Sequence, residues 1–251
     1  MGFVAGALLL LLCCFPQTAL PFTADEISAR QSRLREIPIG DRVVFWAEQF
    51  IGTHYDMDPL GEYVRRAVIV ADERVDCMYL TFRTVELALA NGPEEAIDKA
   101  LFMRFHTRGI LKEGRVINYD DRYRDGVEMV NSGKYGDEIT AQLGEPHYIT
   151  APRGGDRIGF LPTGELRRAT GALQTGDIIF FIKDPSRREA EEVVAHTGIV
   201  SKDQRTGEVC LIHASGTKKR GGSVKKIPLN SYLANMQHIG AKVLRFKEGV
   251  R

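Results

Sequence analysis

The sequence predicts an α+β fold, with helices gathered in its first half and antiparallel strands in its second. Three observations predict it. Apolar residues recur at helical spacing between positions 41 and 105, and after Thr170 they collect into short runs rich in Ile, Val and Phe. The two patterns do not alternate, as a βαβ order would require.

The elements follow in order. Residues 27–37 form a short charged helix ended at Pro38. Within 41–51, Val43, Val44, Ala47, Phe50 and Ile51 have helical spacing, and Gly52 stands in the C-cap position. Asp76 is a candidate N-cap for a strong helix marked by Cys77, Leu80, Thr84, Val85, Leu87 and Ala88, which Asn91-Gly92-Pro93 stops. Residues 94–105 and 121–130 read as two further helices. The stretch 106–170 is rich in Gly, charge and turn residues and predicts mostly loops and short elements. Strands are expected at 177–182, behind a Thr175-Gly176 turn, and at 193–200, 208–214, 224–227 and 241–246.

A chain of 251 residues suits one domain. The net charge of +1 provides no global field for nucleic acid or an anionic membrane. The basic clusters Arg65-Arg66, Arg187-Arg188 and Lys218-Lys219-Arg220 read as solvated surface. Residues 3–15 are apolar or small, with leucine throughout 8–12; that is the length of a signal-peptide core and too short to span a bilayer. Residues 1–24 are therefore expected to be a signal peptide, cleaved at Ala19 or Ala24, and 25–251 a single domain exported to the periplasm or beyond. The absence of Lys and Arg before the apolar run leaves a buried N-terminal helix as the alternative. Leu12 before Cys13 argues against a lipoprotein signal.

Beyond that segment only Cys77 and Cys210 remain, which is no disulfide framework. Two free thiols with different roles is the favoured reading, and a single bridge the alternative. With no CxxC pair, neither a structural zinc site nor any other metal is expected.

Cys77 opens a helix, where the partial positive charge and free N–H groups favour thiolate and can hold an oxyanion. A lone cysteine at a helix start is also compatible with an inert, half-buried thiol. His196 and His213 flank a hairpin turn at 202–207; a turn centred near Gln204 puts them directly opposite each other on one face. That geometry suits a base and its orienting partner, although two unrelated histidines on one face would look the same. Cys210, three residues from His213, falls on the other face as a small core hydrophobe.

The motifs Gly52-Thr53-His54-Tyr55, Asp76-Cys77, Gly176-Asp177-Ile178-Ile179-Phe180-Phe181, His196-Thr197-Gly198-Ile199 and His213-Ala214-Ser215 occur in that order. In them the chain resembles the NlpC-type branch of papain-like cysteine peptidases, which act on bacterial cell walls. Residues 119–140, the stretch Lys226-Ile227-Pro228-Leu229 with Tyr232-Leu233, and 240–245 resemble its N-acetylmuramoyl-L-alanine amidase-like subgroup; the likeness covers roughly 41–247.

The resemblance implies a papain-like α+β domain, with the nucleophile helix packed on an antiparallel sheet of five or six strands. It implies that Cys77 attacks a carbonyl, that His196 takes and returns the proton and that His213 fixes the imidazole tautomer. Tyr55 and Asp76 would lie on the substrate side, Tyr55 beside the nucleophile. No cofactor is implied. The substrate would be peptidoglycan or a released muropeptide, cut between the lactyl group of N-acetylmuramic acid and L-Ala. Cleavage between D-Glu and the diamino acid, acyl transfer to an amine, and a catalytically silent muropeptide-binding domain are the alternatives. Met78-Tyr79 departs from the family's small residues after Asp-Cys. The oligomeric state is left open.

The remaining candidates are weaker. His54 is expected only to line the cleft, and His106, His147 and His238 to be structural or exposed. Asp56, Asp58, Asp120 and Asp121 read as caps and turns, and 153–156 as a loop. Arg122 and Arg124 could meet a substrate carboxylate or be solvated.

Overall fold

Helices from the first half of the chain cover one face of a sheet whose central strands come from the second half. The computed structural model describes residues 22–150, 157–187, 192–217 and 220–247. The expected signal segment lies outside these residues except for Phe22, Thr23 and Ala24.

In chain order the elements are α1 (Ala24–Leu34), α2 (Ile39–Gln49), β1 (His54–Tyr55), α3 (Glu62–Arg65), β2 (Arg74–Val75), α4 (Cys77–Leu89) and α5 (Pro93–Met103). A small hairpin, β3 (Leu111–Lys112) and β4 (Arg115–Val116), leads to α6 (Gly126–Asn131), β5 (Asp137–Glu138), α7 (Thr140–Leu143), β6 (His147–Thr150), β7 (Arg157–Pro162) and α8 (Thr163–Ala169). The chain then forms β8 (Ile178–Lys183), β9 (Val194–Lys202), β10 (Val209–Thr217), β11 (Gly221–Pro228), α9 (Leu229–Asn235) and β12 (His238–Arg245).

Ten described strands form one sheet in the order β2-β1-β11-β10-β9-β8-β12-β7-β6, with β5 pairing to β12. The sheet is mixed rather than antiparallel as expected, because β1 and β2 run parallel. The α+β order is the one predicted, but the stretch 106–170 holds more structure than expected, including the β6–β7 hairpin. The helix expected at 121–130 is a 3₁₀ turn at Tyr119–Asp121 followed by α6. Arg122 is extended between them, and Asp125 restarts the helix by accepting from the Val127 N–H at 3.1 Å.

Alternation along the central strands sorts the core. Ile178, Phe180, Ile199, Ile212 and Ala214 pack under α2 and α4, while Ile179, Phe181, Val200 and Leu211 face Leu166 of α8 and Leu229 and Leu233 of α9. The helix α4 is buried along nearly its whole length. Two buried ion pairs fix it: Arg83 with Asp72 at 3.0 Å and Arg104 with Glu86 at 2.6 Å. Removing one partner of such a pair costs about 3–5 kcal/mol, because the other charge stays buried and uncompensated.

Candidate active site

Asp76 caps α4 through its side chain, which accepts from the Tyr79 N–H at 2.6 Å. Cys77 is therefore the first helical residue, as the sequence predicts, and sits half-buried in a cleft of about 400 Å³. Tyr55, Asp76, Met78, His196 and Thr197 line the same cleft, so four of the five predicted site residues meet there. His213 stands behind His196 rather than in the cleft wall, with its Nδ1 2.8 Å from His196 Nε2. His54, expected to line the cleft, is exposed on β1 and does not.

The two histidines are brought together by a register two residues away from the expected one. Leu211 lies opposite Val200 and Ile212 opposite Ile199, so His213 falls opposite Gly198 and His196 is its diagonal neighbour on the same face. Two local features make the diagonal short. A bulge between the Phe181 and Ile182 pairings leaves Ala195 extra and re-aims His196. Gly198 carries no side chain; a Cβ there would lie 3.2 Å from His213 Cβ and 2.7 Å from Leu211 Cδ1.

On the opposite face of β9, Thr197 ties the strand to α4. Its hydroxyl lies 2.5 Å from that of Thr81 and 3.4 Å from the Cys77 carbonyl oxygen. Its backbone N–H is one of the groups that favour the Cys77 thiolate, against the larger effect of burial.

The electrostatics depart from the expectation of a thiolate. Burial, with Asp76 beside it, pushes the Cys77 thiol up to about 12, outweighing the helix N-terminus and the Thr197 and Met78 N–H groups. Burial pulls His196 down to about 3, with His213 and His238 adding to the effect, and His213 down to about 4. The resting pair is therefore neutral thiol and neutral imidazole. Asp76 is raised to about 6 by burial, against the pull of its cap hydrogen bonds. Burial and the neighbouring Cys77 raise Tyr55, which remains a phenol able to donate.

The departure at Met78-Tyr79 has a structural explanation. The Tyr79 ring is fully buried; its hydroxyl donates to Asp72 at 2.7 Å and accepts from the Ala71 N–H at 2.6 Å. Tyr79 thus anchors the loop before the cleft, and Met78 alone reaches the wall.

Two neighbours escaped the sequence reading. Tyr232 of α9 packs its ring 5.1 Å from that of His213 and 6.1 Å from that of His196. His238 stacks on Phe181 at 5.6 Å and lies parallel to His196 at 6.5 Å, rather than standing without partners. Long-range pairing of β12 with β8 creates this box, and no local spacing announces it. Cys210 lies on the face away from His213, as expected, but it is half-buried at the strand's far end rather than a core residue, and both thiols are free.

Among the described residues, no group of three or more His, Cys, Asp or Glu side chains could hold a metal ion, and no helix is long and apolar enough to cross a membrane.

No family model and no curated protein matches the chain. Solved structures do share its fold. An N-acetylmuramoyl-L-alanine amidase from Bacteroides uniformis is similar with a TM-score of 0.63 at 18% identity, over 84% of this chain and 99% of the other. A Legionella pneumophila protein of the DUF1460 family is similar with a TM-score of 0.68 at 17% identity, over 90% of this chain and 95% of the other. At these identities the likeness is one of fold.

Proposed function

We propose that the protein is a cysteine amidase of papain-like, NlpC-type build that hydrolyses the bond between the lactyl group of N-acetylmuramic acid and L-Ala in peptidoglycan fragments. One observation carries the reading: a helix-opening thiol and His196, which His213 hydrogen-bonds from behind, line one cleft. The fold shared with an amidase of that activity supports the choice of bond.

The chemistry follows from the neutral resting pair. His196 Nε2 is occupied by His213, so Nδ1 is the nitrogen left to act as base. Acting there requires the tautomer that donates from Nε2 to His213 Nδ1, and His213 is the positioning residue that selects it. As Cys77 Sγ attacks the carbonyl carbon, its proton passes to His196 Nδ1, and base catalysis of this kind contributes about 10²–10⁴-fold. The oxyanion meets N–H groups at the start of α4 and the Tyr55 hydroxyl. Collapse breaks the C–N bond, and His196 returns the proton to the leaving amine of L-Ala. Water, deprotonated by the same imidazole, then opens the thioester and frees the acid and the thiol.

Mass spectrometry of products from a defined muramoyl tripeptide tests the reading. It predicts free N-acetylmuramic acid and an intact peptide beginning with L-Ala, with both lost in Cys77→Ala and retained in Cys210→Ala. Cleavage after D-Glu would overturn the choice of bond, and binding without any cleavage would overturn the enzymatic reading.

A further inference from the structure

We propose that Arg124 forms a carboxylate-binding subsite at the rim of the Cys77 cleft, selecting acyl-peptides that carry a free carboxylate beyond the scissile amide. For its substrate the inference rests on the amidase reading; the binding itself does not require turnover.

Arg124 is the only Lys or Arg among the described residues that line the cleft. Its backbone is fastened on both sides. Its own N–H donates to Glu128 Oε2 at 2.6 Å. The next residue, Asp125, accepts from the Val193 N–H at 2.7 Å and the Val194 N–H at 3.2 Å, where the His196 strand begins. The segment bearing Arg124 is thus clipped to the strand bearing the proposed base. The guanidinium itself is exposed and makes no ion pair among the described residues.

The cleft's aspartates make their contacts elsewhere. Asp56 accepts from the Asp58 N–H at 2.9 Å and the Glu62 N–H at 2.5 Å. Asp58 pairs with Arg65 at 2.7 Å, and Asp76 caps α4. Glu192 stands on the same rim, where burial, with Asp125 close by, holds its carboxyl above the usual range, and it makes no ion pair with Arg124 among the described residues. A planar guanidinium that faces a cleft with its donors uncommitted is suited to bidentate capture of a carboxylate. A peptide carrying glutamate after the scissile alanine offers that group.

The test compares N-acetylmuramoyl-L-Ala-D-Glu with its counterpart in which both glutamate carboxyls are amidated. The wild-type KM should be about 10- to 100-fold lower for the acid, the range of a charge-assisted pair. Arg124→Gln should raise the KM for the acid to that for the diamide, and Arg124→Lys should keep part of the preference. Equal KM values in the wild type, or an equal fall in kcat on both substrates in Arg124→Gln, would overturn the subsite. Calorimetric titration of Cys77→Ala with the same two compounds repeats the comparison without turnover. Tighter binding of the acid there, with no hydrolysis by the wild type, would sink the amidase reading and support the subsite; equal binding overturns the subsite.

Discussion

Replacing Gly198 with alanine perturbs the histidine pair without touching either ring. The added Cβ would lie 2.7 Å from Leu211 Cδ1, 2.9 Å from Leu211 Cγ and 3.2 Å from His213 Cβ. Leu211 is fully buried and His213 nearly so, and neither has open space to retreat into. Overpacking of this kind costs about 1–3 kcal/mol, which lowers the melting temperature by about 2–12 °C for a domain of this size. Any retreat of β10 also stretches the 2.8 Å contact between His196 Nε2 and His213 Nδ1. A displacement of about 1 Å at such a contact can cost up to about 100-fold in rate. Thermal unfolding and kcat/KM on a soluble muramoyl peptide read the two effects separately. Leu211→Val, which removes the clashing Cδ1, should recover part of both in the double variant. A Gly198→Ala protein with wild-type melting and wild-type kcat/KM would refute the reasoning.

Four further outcomes follow from the structure. Tyr79→Phe leaves the buried Ala71 N–H and Asp72 each short of a partner, and urea unfolding should register a loss of about 1–3 kcal/mol. His213 is held below its unfolded value, so between pH 6.5 and about 4 the unfolded state takes up its proton while the folded state does not, and stability falls as pH falls through that window. His213→Asn should flatten this dependence by about 1.4 kcal/mol per pH unit, as read by denaturation at a series of pH values. The same shifts put the acid limb of kcat/KM below pH 5, and a limb near 6.5 would contradict neutral buried histidines. Lastly, Thr23 closes a capping box with Glu26, and Phe22 packs on Trp46 at 5.8 Å and Phe50 at 5.6 Å. Thr23→Ala should therefore cost about 1 kcal/mol in urea unfolding, and if the apolar segment is cleaved as a signal, N-terminal sequencing of protein from its native host should begin at Leu20 rather than beyond Ala24.

The sequence reveals an element where its cause is local. Asp76 ahead of a helical apolar pattern is enough to locate α4 and its opening thiol, because cap and periodicity lie within one segment. The five strands β8 to β12 are equally legible from their apolar runs. The β6–β7 hairpin is not, since His147–Thr150 carries mostly exposed residues on an edge strand and offers no apolar alternation. The pairing of His196 with His213 is legible as shared face but not as register, because the turn at 203–207 is set by Asp203 accepting from two N–H groups and by Gly207 at positive φ. The protonation state is the least legible feature. A helix N-terminus predicts a thiolate, whereas burial by β9 and the neighbouring Asp76 decides for the thiol, and neither is visible until the chain has folded. Tyr232 and His238 belong to the same class, being brought to the histidines by pairings far along the chain.

The most direct measurement is the mass of the acyl group carried by Cys77 during turnover. Acid-quenching the enzyme with a muramoyl peptide and digesting it should yield a peptide containing Cys77 with an N-acetylmuramoyl group in thioester linkage, absent from Cys77→Ala. An adduct on another residue, or one on Cys77 whose mass includes L-Ala and D-Glu, would contradict the account.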